Sequence, residues 1–310
     1  MELNSFKKIL VPVRLDIDST AAFKQALHFR KKFKAKVSLL HVVQKKGELT
    51  NMLQPKLESS LQGIGMVHLI RFAKMHFRGR IPNDIKLRVE VGDYVNIISE
   101  IANSEDFNLV VINRTNNITG LIKKYNKTVN RMIGKLKCPL ISVNTKWTSN
   151  GVKSILIPID ISEQSDDLVN WAIVLAKTFK AKIKVLLAST LNIDTKNSFA
   201  YEKSLLIKSA IKKEGINCSI IIVQDDNIER SKALVEGVKK IQADMILIQE
   251  FQNLMLSNTQ NKRLLSEFIQ NSSHPIFSLG TNHSALVKEL LSVNKSQIYN
   301  SENLTGKLII

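Results

Sequence analysis

Ile9-Leu10-Val11-Pro12-Val13 is written again 146 positions later as Ile155-Leu156-Ile157-Pro158-Ile159. Phe33-Lys34-Ala35-Lys36 returns at the same offset as Phe179-Lys180-Ala181-Lys182. Leu109-Val110-Val111-Ile112 returns 136 positions later as Met245-Ile246-Leu247-Ile248. Lys137-Cys138-Pro139-Leu140-Ile141-Ser142-Val143 returns at that second offset as Ser273-His274-Pro275-Ile276-Phe277-Ser278-Leu279. Four blocks in one order indicate a duplicated domain, with a ten-residue length difference in the middle of each copy. A chain of 310 residues suits two domains of ordinary size. The expected division is 1–146, 153–280 and a tail over 281–310, with the polar stretch Lys146–Val152 as linker.

The matched blocks sit inside alternating β and α patterns. Short runs that are apolar nearly throughout read as buried parallel strands. In the first copy these are Lys8–Val13, Val37–Val43, Asn108–Asn113 and Pro139–Asn144, with Ile85–Val91 alternating as a strand nearer an edge. Helices are expected over Thr20–Phe33, Pro55–Arg78, Gly92–Ser104 and Ile122–Leu136. The second copy repeats the order. Its strands are Ser154–Ile159, Lys182–Ala188, Asn217–Val223, Asp244–Gln249 and Pro275–Leu279. Its helices are Glu163–Phe179, Phe199–Glu214, Asn227–Ile241 and Asn261–Asn271. Alternation of this kind gives an α/β fold, two doubly wound parallel sheets with helices on both faces. Ligands in such sheets lie at the carboxyl ends of the strands, where the strand order reverses. The loops after the first and fourth strands of each copy are therefore the ones to inspect.

Charge is uneven. Residues 1–146 hold 26 Lys and Arg against 11 Asp and Glu, a net +15, whereas 151–280 net +2 and the tail +1. Most of the basic residues fall at helical spacing, and no aromatic interleaving marks a nucleic-acid surface. The simplest reading is solvated helix faces; the other is an acidic partner. No stretch approaches the ~18 apolar residues of a membrane span, and the N-terminus shows no signal-peptide pattern. The two cysteines, Cys138 and Cys218, sit in apolar surroundings and read as buried thiols. A cytoplasmic location is the expectation.

Taken together, these blocks resemble tandem universal stress proteins. Strand-Pro-strand, Phe-Lys-Ala-Lys, Val89-x-Val91-Gly92-Asp93 before the third helix, and Cys/His-Pro before the last strand carry the resemblance over about 6–144 and 153–280. It implies five-stranded parallel sheets in the order 3-2-1-4-5, of the adenine-nucleotide alpha-hydrolase-like type. It also implies domains that pair through their last strands. Here Leu140–Val143 and Ile276–Leu279 would meet within one chain as a pseudo-dimer, hiding two sheet edges. A homodimer of the whole chain is a further option. Many relatives bind ATP and others do not. The binding type carries an Asp two residues after the Pro of strand one. After strand four it carries Gly-x2-Gly-x9-Gly-[Ser/Thr], where glycines let the backbone approach phosphates.

Neither copy keeps both signatures. In the first, Arg14 stands where the Asp would be, and the three glycine positions read Asn113, Asn116 and Asn126, followed by Lys127. Asn tolerates left-handed backbone best among non-glycine residues, yet its side chain crowds a phosphate. In the second copy Asp160 is kept, but the loop reads Gln249-Glu250-Phe251-Gln252 and ends on Lys262-Arg263. Asp160 reads better as a cap before the next helix. A residual anion site would draw on Arg14, Arg114 and Lys127.

Other chemistry is thin. No histidine pairs at metal-ligand spacing, no nucleophile elbow is present, and Cys138 lies in no reactive-thiol context. Trp147 and Trp171 read as packing residues. His41 ends strand two near the crevice as a hydrogen-bonded strand-end histidine. The long helix carries Leu57, Leu61, Ile64, Val67, Leu69, Ile70 and Phe72, a face so broad that it is either core or, in part, turned to lipid or a partner. The expected function is a non-enzymatic stress-response adaptor or regulator with degenerate ATP sites, no cofactor, and a protein partner. Two other readings stay open. One is a nucleotide or anion sensor binding through domain 1. The other is a salt-sensitive binder of acidic partners through the same basic domain.

Overall fold

The computed structural model describes residues 6–15, 19–44, 55–114, 128–147, 151–159, 165–189, 199–224, 230–249, 267–268 and 272–280. The chain divides into two compact units, Asn4–Thr148 and one that takes in Ser149–Ile310. In the first, strands β1 (Lys8–Val13), β2 (Lys36–Val43), β3 (Ile85–Val91), β4 (Leu109–Arg114) and β5 (Leu140–Asn144) alternate with helices α1 (Ser19–Phe33), α2 (Pro55–His76) and α3 (Tyr94–Ser104). Residues 128–133 are helical as well. The second unit holds β6 (Ser154–Ile159), α4 (Asp166–Phe179), β7 (Lys182–Ser189), α5 (Phe199–Lys213), β8 (Cys218–Gln224), α6 (Arg230–Lys240), β9 (Met245–Gln249) and β10 (Ile276–Leu279).

Within the first unit the strands are ordered β3-β2-β1-β4-β5, and within the second β8-β7-β6-β9-β10. Every pairing inside a unit is parallel. Each is thus the doubly wound α/β sheet that the alternation predicts, order 3-2-1-4-5. Register repeats with the sequence. Ile9 and Leu10 lie beside Leu109 and Val110 as Ile155 and Leu156 lie beside Met245 and Ile246. The central strands are buried almost completely, which explains their unbroken Ile, Leu and Val.

The crossovers fix the faces. The first two run from β1 outward to β3, and the third returns past β1 to β4. Right-handed connections then put α1 and α2 on one face and α3 on the other. Phe23 of α1 meets Phe72 of α2 at 5.9 Å and Phe77 at 5.7 Å, a seam that joins the two helices. A second aromatic cluster, Phe6, Phe29 and Phe33, seals the far end of α1. There Arg30 also holds Asp84 through two bonds, 2.5 and 2.7 Å. That hydrogen bonding holds the Asp84 carboxyl below the usual carboxylate range. Its contribution to stability is present above the ordinary carboxylate pKa and fades as acid protonates the group.

The repeated blocks have physical reasons. Lys34 and Lys180 are both left-handed, at φ 51° and 56°. The following alanines then close the helix ends, Ala35 N on Arg30 O at 3.2 Å and Ala181 N on Ala176 O at 2.9 Å. The Phe-Lys-Ala-Lys block is this helix stop. Just before the fourth strand, Asn108 Oδ1 accepts from the Lys7 and Lys8 amides at 2.9 and 3.1 Å. Asp244 Oδ2 accepts from the Lys153 and Ser154 amides at 2.9 and 2.8 Å, and from Ser154 Oγ at 2.9 Å. One hook thus ties the start of the first strand to the fourth in both units.

Element ends differ slightly from the sequence reading. The difference that matters is β4, which runs one residue further, through Arg114, because Arg114 pairs with Asn144 on β5. The helix expected from Glu163 is described from Asp166, with Ser165 at its cap. Residues 122–127 of the helix expected before β5, and all but 267–268 of the one expected before β10, fall outside the described residues. Cys138 and Cys218 are buried, and burial pushes their thiols up to about 12 and about 11. Trp171 is fully buried against Phe277, ring centroids 5.4 Å apart. No helix among the described residues is long and apolar enough to cross a membrane.

Candidate functional site

The order 3-2-1-4-5 reverses between β1 and β4, so the crevice of the first unit opens where those strands end. β1 and β4 are paired only through Leu10 and Val110. Beyond that point Val13 and Asn113 stand at the same level on diverging strands, with His41 beside Val13 on β2. His41 Nδ1 lies 3.0 Å from the Val13 carbonyl. A carbonyl only accepts, so Nδ1 carries the proton. The imidazole is thus committed to the strand end, as the sequence suggests.

Asn113 is the decisive residue. Its Oδ1 accepts from the Ala22 amide of α1 at 2.7 Å. The first turn of a helix has N–H groups without intrahelical partners, and such N–H groups are the donors that bind phosphate. Here an asparagine side chain supplies the acceptor instead. Asn113 therefore faces α1. Neighbouring strand residues point to opposite faces, so Arg114 faces the other way. It is 1% exposed, and burial lowers its guanidinium to about 9. A buried cation on the far face does not line the same crevice as Asn113.

Arg14 takes a third direction. Its backbone N–H donates to Ser19 Oγ at 2.9 Å, which closes the turn into α1. Its guanidinium lies over the Tyr94 ring, 5.4 Å from the centroid, a cation–π contact. Tyr94 opens α3, where Asp93 caps the Asn96 amide at 2.9 Å. Between these residues Leu15 has φ 66°, uncommon for a bulky side chain. Among the sequence candidates, then, Arg14, Asn113 and Arg114 are near in the chain's topology but serve three directions. Asn116, Asn126, Lys127 and Asp160 lie outside the described residues. Tyr94 was not visible from the sequence as a site residue; its only signal was its place directly after the Gly92-Asp93 cap.

The second unit offers a comparison. His41 is replaced by Leu187, fully buried, and Asn113 by Gln249, whose Oε1 has no hydrogen-bond partner among the described residues. That crevice thus has an apolar side chain where the first has His41 and a longer amide where the first has Asn113. Gly65 shapes the first further. A Cβ there would come within 2.9 Å of Val89 Cγ1 and 3.3 Å of His41 Cδ2, so only glycine lets α2 lie this close to the strand ends.

A strand-four residue locked onto α1, beneath a 3-2-1-4-5 sheet, is the point at which comparison with known proteins becomes informative. Residues 5–144 match the Universal stress protein family. No curated protein matches the chain. Among solved structures, a universal stress protein from Archaeoglobus fulgidus DSM 4304 is similar at 16% identity and TM-score 0.65, over 90% of this chain and 97% of that one. A putative universal stress protein from Pseudomonas aeruginosa UCBPP-PA14 is similar at 14% identity and TM-score 0.60, over 94% and 99%. A functionally unknown protein from Pseudomonas aeruginosa PAO1 is similar at 14% identity and TM-score 0.58, over 95% and 99%. At these identities the likeness is one of fold. The universal stress match itself covers the first unit, where the crevice just described lies.

Asn113 yields a direct test. Asn113→Ala removes the acceptor for Ala22 and should cost about 1 kcal/mol, the usual value of a helix-cap side chain. Urea denaturation followed by circular dichroism would measure it. An unchanged midpoint would mean that the bond carries no load.

Proposed function

We propose that this chain is a non-enzymatic regulator of the universal stress type whose crevices do not hold ATP tightly. The observation that supports it is the Asn113 amide, 2.7 Å from the Ala22 N–H. In the nucleotide-binding type that position is glycine, and backbone and bound phosphate come close. Here a ligand would have to displace a side chain that satisfies a helix terminus. In the second unit the matching position, Gln249, also carries a long side chain. With no phosphate cradle to complete, the action of such a protein falls on its surfaces and on protein partners.

A second reading draws on Arg14. This cation is exposed at the mouth of the crevice and lies over Tyr94. An aromatic ring and a guanidinium side by side could engage a nucleobase or an anion without a glycine loop. That would make the first unit a sensor. Equilibrium dialysis against labelled ATP and cyclic nucleotides separates the two. The regulator retains none at millimolar ligand and releases no phosphate from ATP. The sensor retains a saturable amount, and Arg14→Ala abolishes it. Phosphate release above buffer would contradict both.

A further inference from the structure

Surface helices are ordinarily apolar inside and polar outside. Helix α2 is apolar on both sides. Leu69, Phe72 and Ala73 are buried against the sheet. On the opposite side Ile64 is 59% exposed, Val67 59% and Met75 70%. Each residue turns the helix by about 100°, which places Ile64, Val67, His68, Arg71, Lys74, Met75 on one outward arc. His68, Arg71 and Lys74 are exposed too, as are Arg78 and Arg80 just past the helix end. The acidic residue of α2, Glu58, lies off this arc, six residues before Ile64. Ile64 and Met75 are separated by about 16 Å along the axis. The stripe is therefore a row of aliphatic side chains laced with cations and free of carboxylates.

The second unit supplies the contrast. Its corresponding helix, α5, exposes Glu202, Leu205, Ser209, Lys212 and Lys213. Leu205 is the remaining large apolar side chain exposed among the described residues. Of these two helices at the same place in their units, α2 carries the stripe, in the half of the chain with net +15.

We infer that the outward arc of α2 docks on an anionic lipid surface. Three features select this occupant. Cations beside aliphatic side chains on one helical face match phosphate headgroups above an acyl boundary. A bilayer needs only that one face, whereas a partner that closes around a helix would need the side already packed on β2 and β3. A second copy of the chain would set the same cations against each other in a two-fold contact. Nucleic acid is poorly matched, since the arc has no Phe, Tyr or Trp for stacking and half of its six residues are apolar. Docking is peripheral: α2 lies along the interface and keeps its packing on the sheet.

Co-sedimentation of the full chain with vesicles tests this. Equal parts phosphatidylglycerol and phosphatidylcholine should pull the protein down, and phosphatidylcholine alone should not. Binding should fall as salt is raised. Arg71→Gln with Lys74→Gln should weaken it about 30-fold, at about 1 kcal/mol per cation near a charged surface. Ile64→Asp with Val67→Asp should abolish it, while Leu205→Asp should leave it unchanged. All these positions are exposed, and circular dichroism checks that each variant folds. No sedimentation with anionic vesicles would overturn the inference. Equal binding to both vesicle types, or binding indifferent to the α2 variants, would do the same. Tighter binding of polyglutamate or duplex DNA than of vesicles, lost in the same variants, would reassign the stripe to an acidic macromolecule. Self-association lost in Ile64→Asp would reassign it to a second copy.

Discussion

Trp171→Ala is expected to cost about 4 kcal/mol, the usual loss for a large aromatic removed from a packed core. Trp171 is fully buried in α4 and meets Phe277 of β10. The shared strand order of the two units makes the argument sharper. The residue at the same place in the first unit, 146 positions earlier, is Gln25. It is 1% exposed, and neither its Oε1 nor its Nε2 has a hydrogen-bond partner among the described residues. A buried amide left so costs about 1–3 kcal/mol. Gln25→Leu is therefore expected to stabilise the chain by about 2 kcal/mol. Urea titrations by circular dichroism would give both changes. A neutral Trp171→Ala, or a destabilising Gln25→Leu, would show that these helix faces are not packed as described.

Asp244→Ala should cost about 3 kcal/mol. One carboxylate oxygen receives three hydrogen bonds, two of them from backbone amides that open β6. Hydrogen bonds to charged groups contribute about 1.5–3 kcal/mol each in isolation, and removing the acceptor strands its donors. The three share one atom, so the loss is well below their sum. Asp244→Asn should be mild, because asparagine performs the same task at position 108 of the first unit. Trp171 fluorescence in a Trp147→Phe background follows the second unit in urea. Equal midpoints for the Ala and Asn variants would contradict the hook.

How far the sequence led differs between fold and site. The repeated blocks were legible because each answers a backbone requirement. The lysine at φ 51° and 56° turns the chain so that the next backbone N–H closes the helix end, and the start of strand one needs a side-chain acceptor from before strand four. Buried parallel strands read as unbroken apolar runs, and their order was the one the family resemblance implies. The site was only half legible. That Asn113 stands where the universal stress resemblance would place a glycine can be read from the sequence. That its side chain turns to Ala22 while Arg114 turns away depends on where β4 ends, and the pairing of Arg114 with Asn144 moved that end by one residue. One residue decides a face in a strand. Arg14 and Tyr94 are 80 positions apart, a contact that no local pattern carries. The outward stripe of α2 was present as a broad apolar face, but which half of it met the sheet required the burial of Leu69 and Phe72.

The most direct measurement is a thermal-shift titration of the full chain with ATP, ADP, AMP and cyclic nucleotides, with and without magnesium. A ligand far above its dissociation constant stabilises the state that binds it, by about 2.7 kcal/mol at a hundredfold excess. With Asn113 occupying the helix terminus, the expected result is a flat melting temperature up to millimolar nucleotide. A saturable rise of several degrees, lost in Arg14→Ala, would contradict a closed crevice and make the first unit a nucleotide sensor.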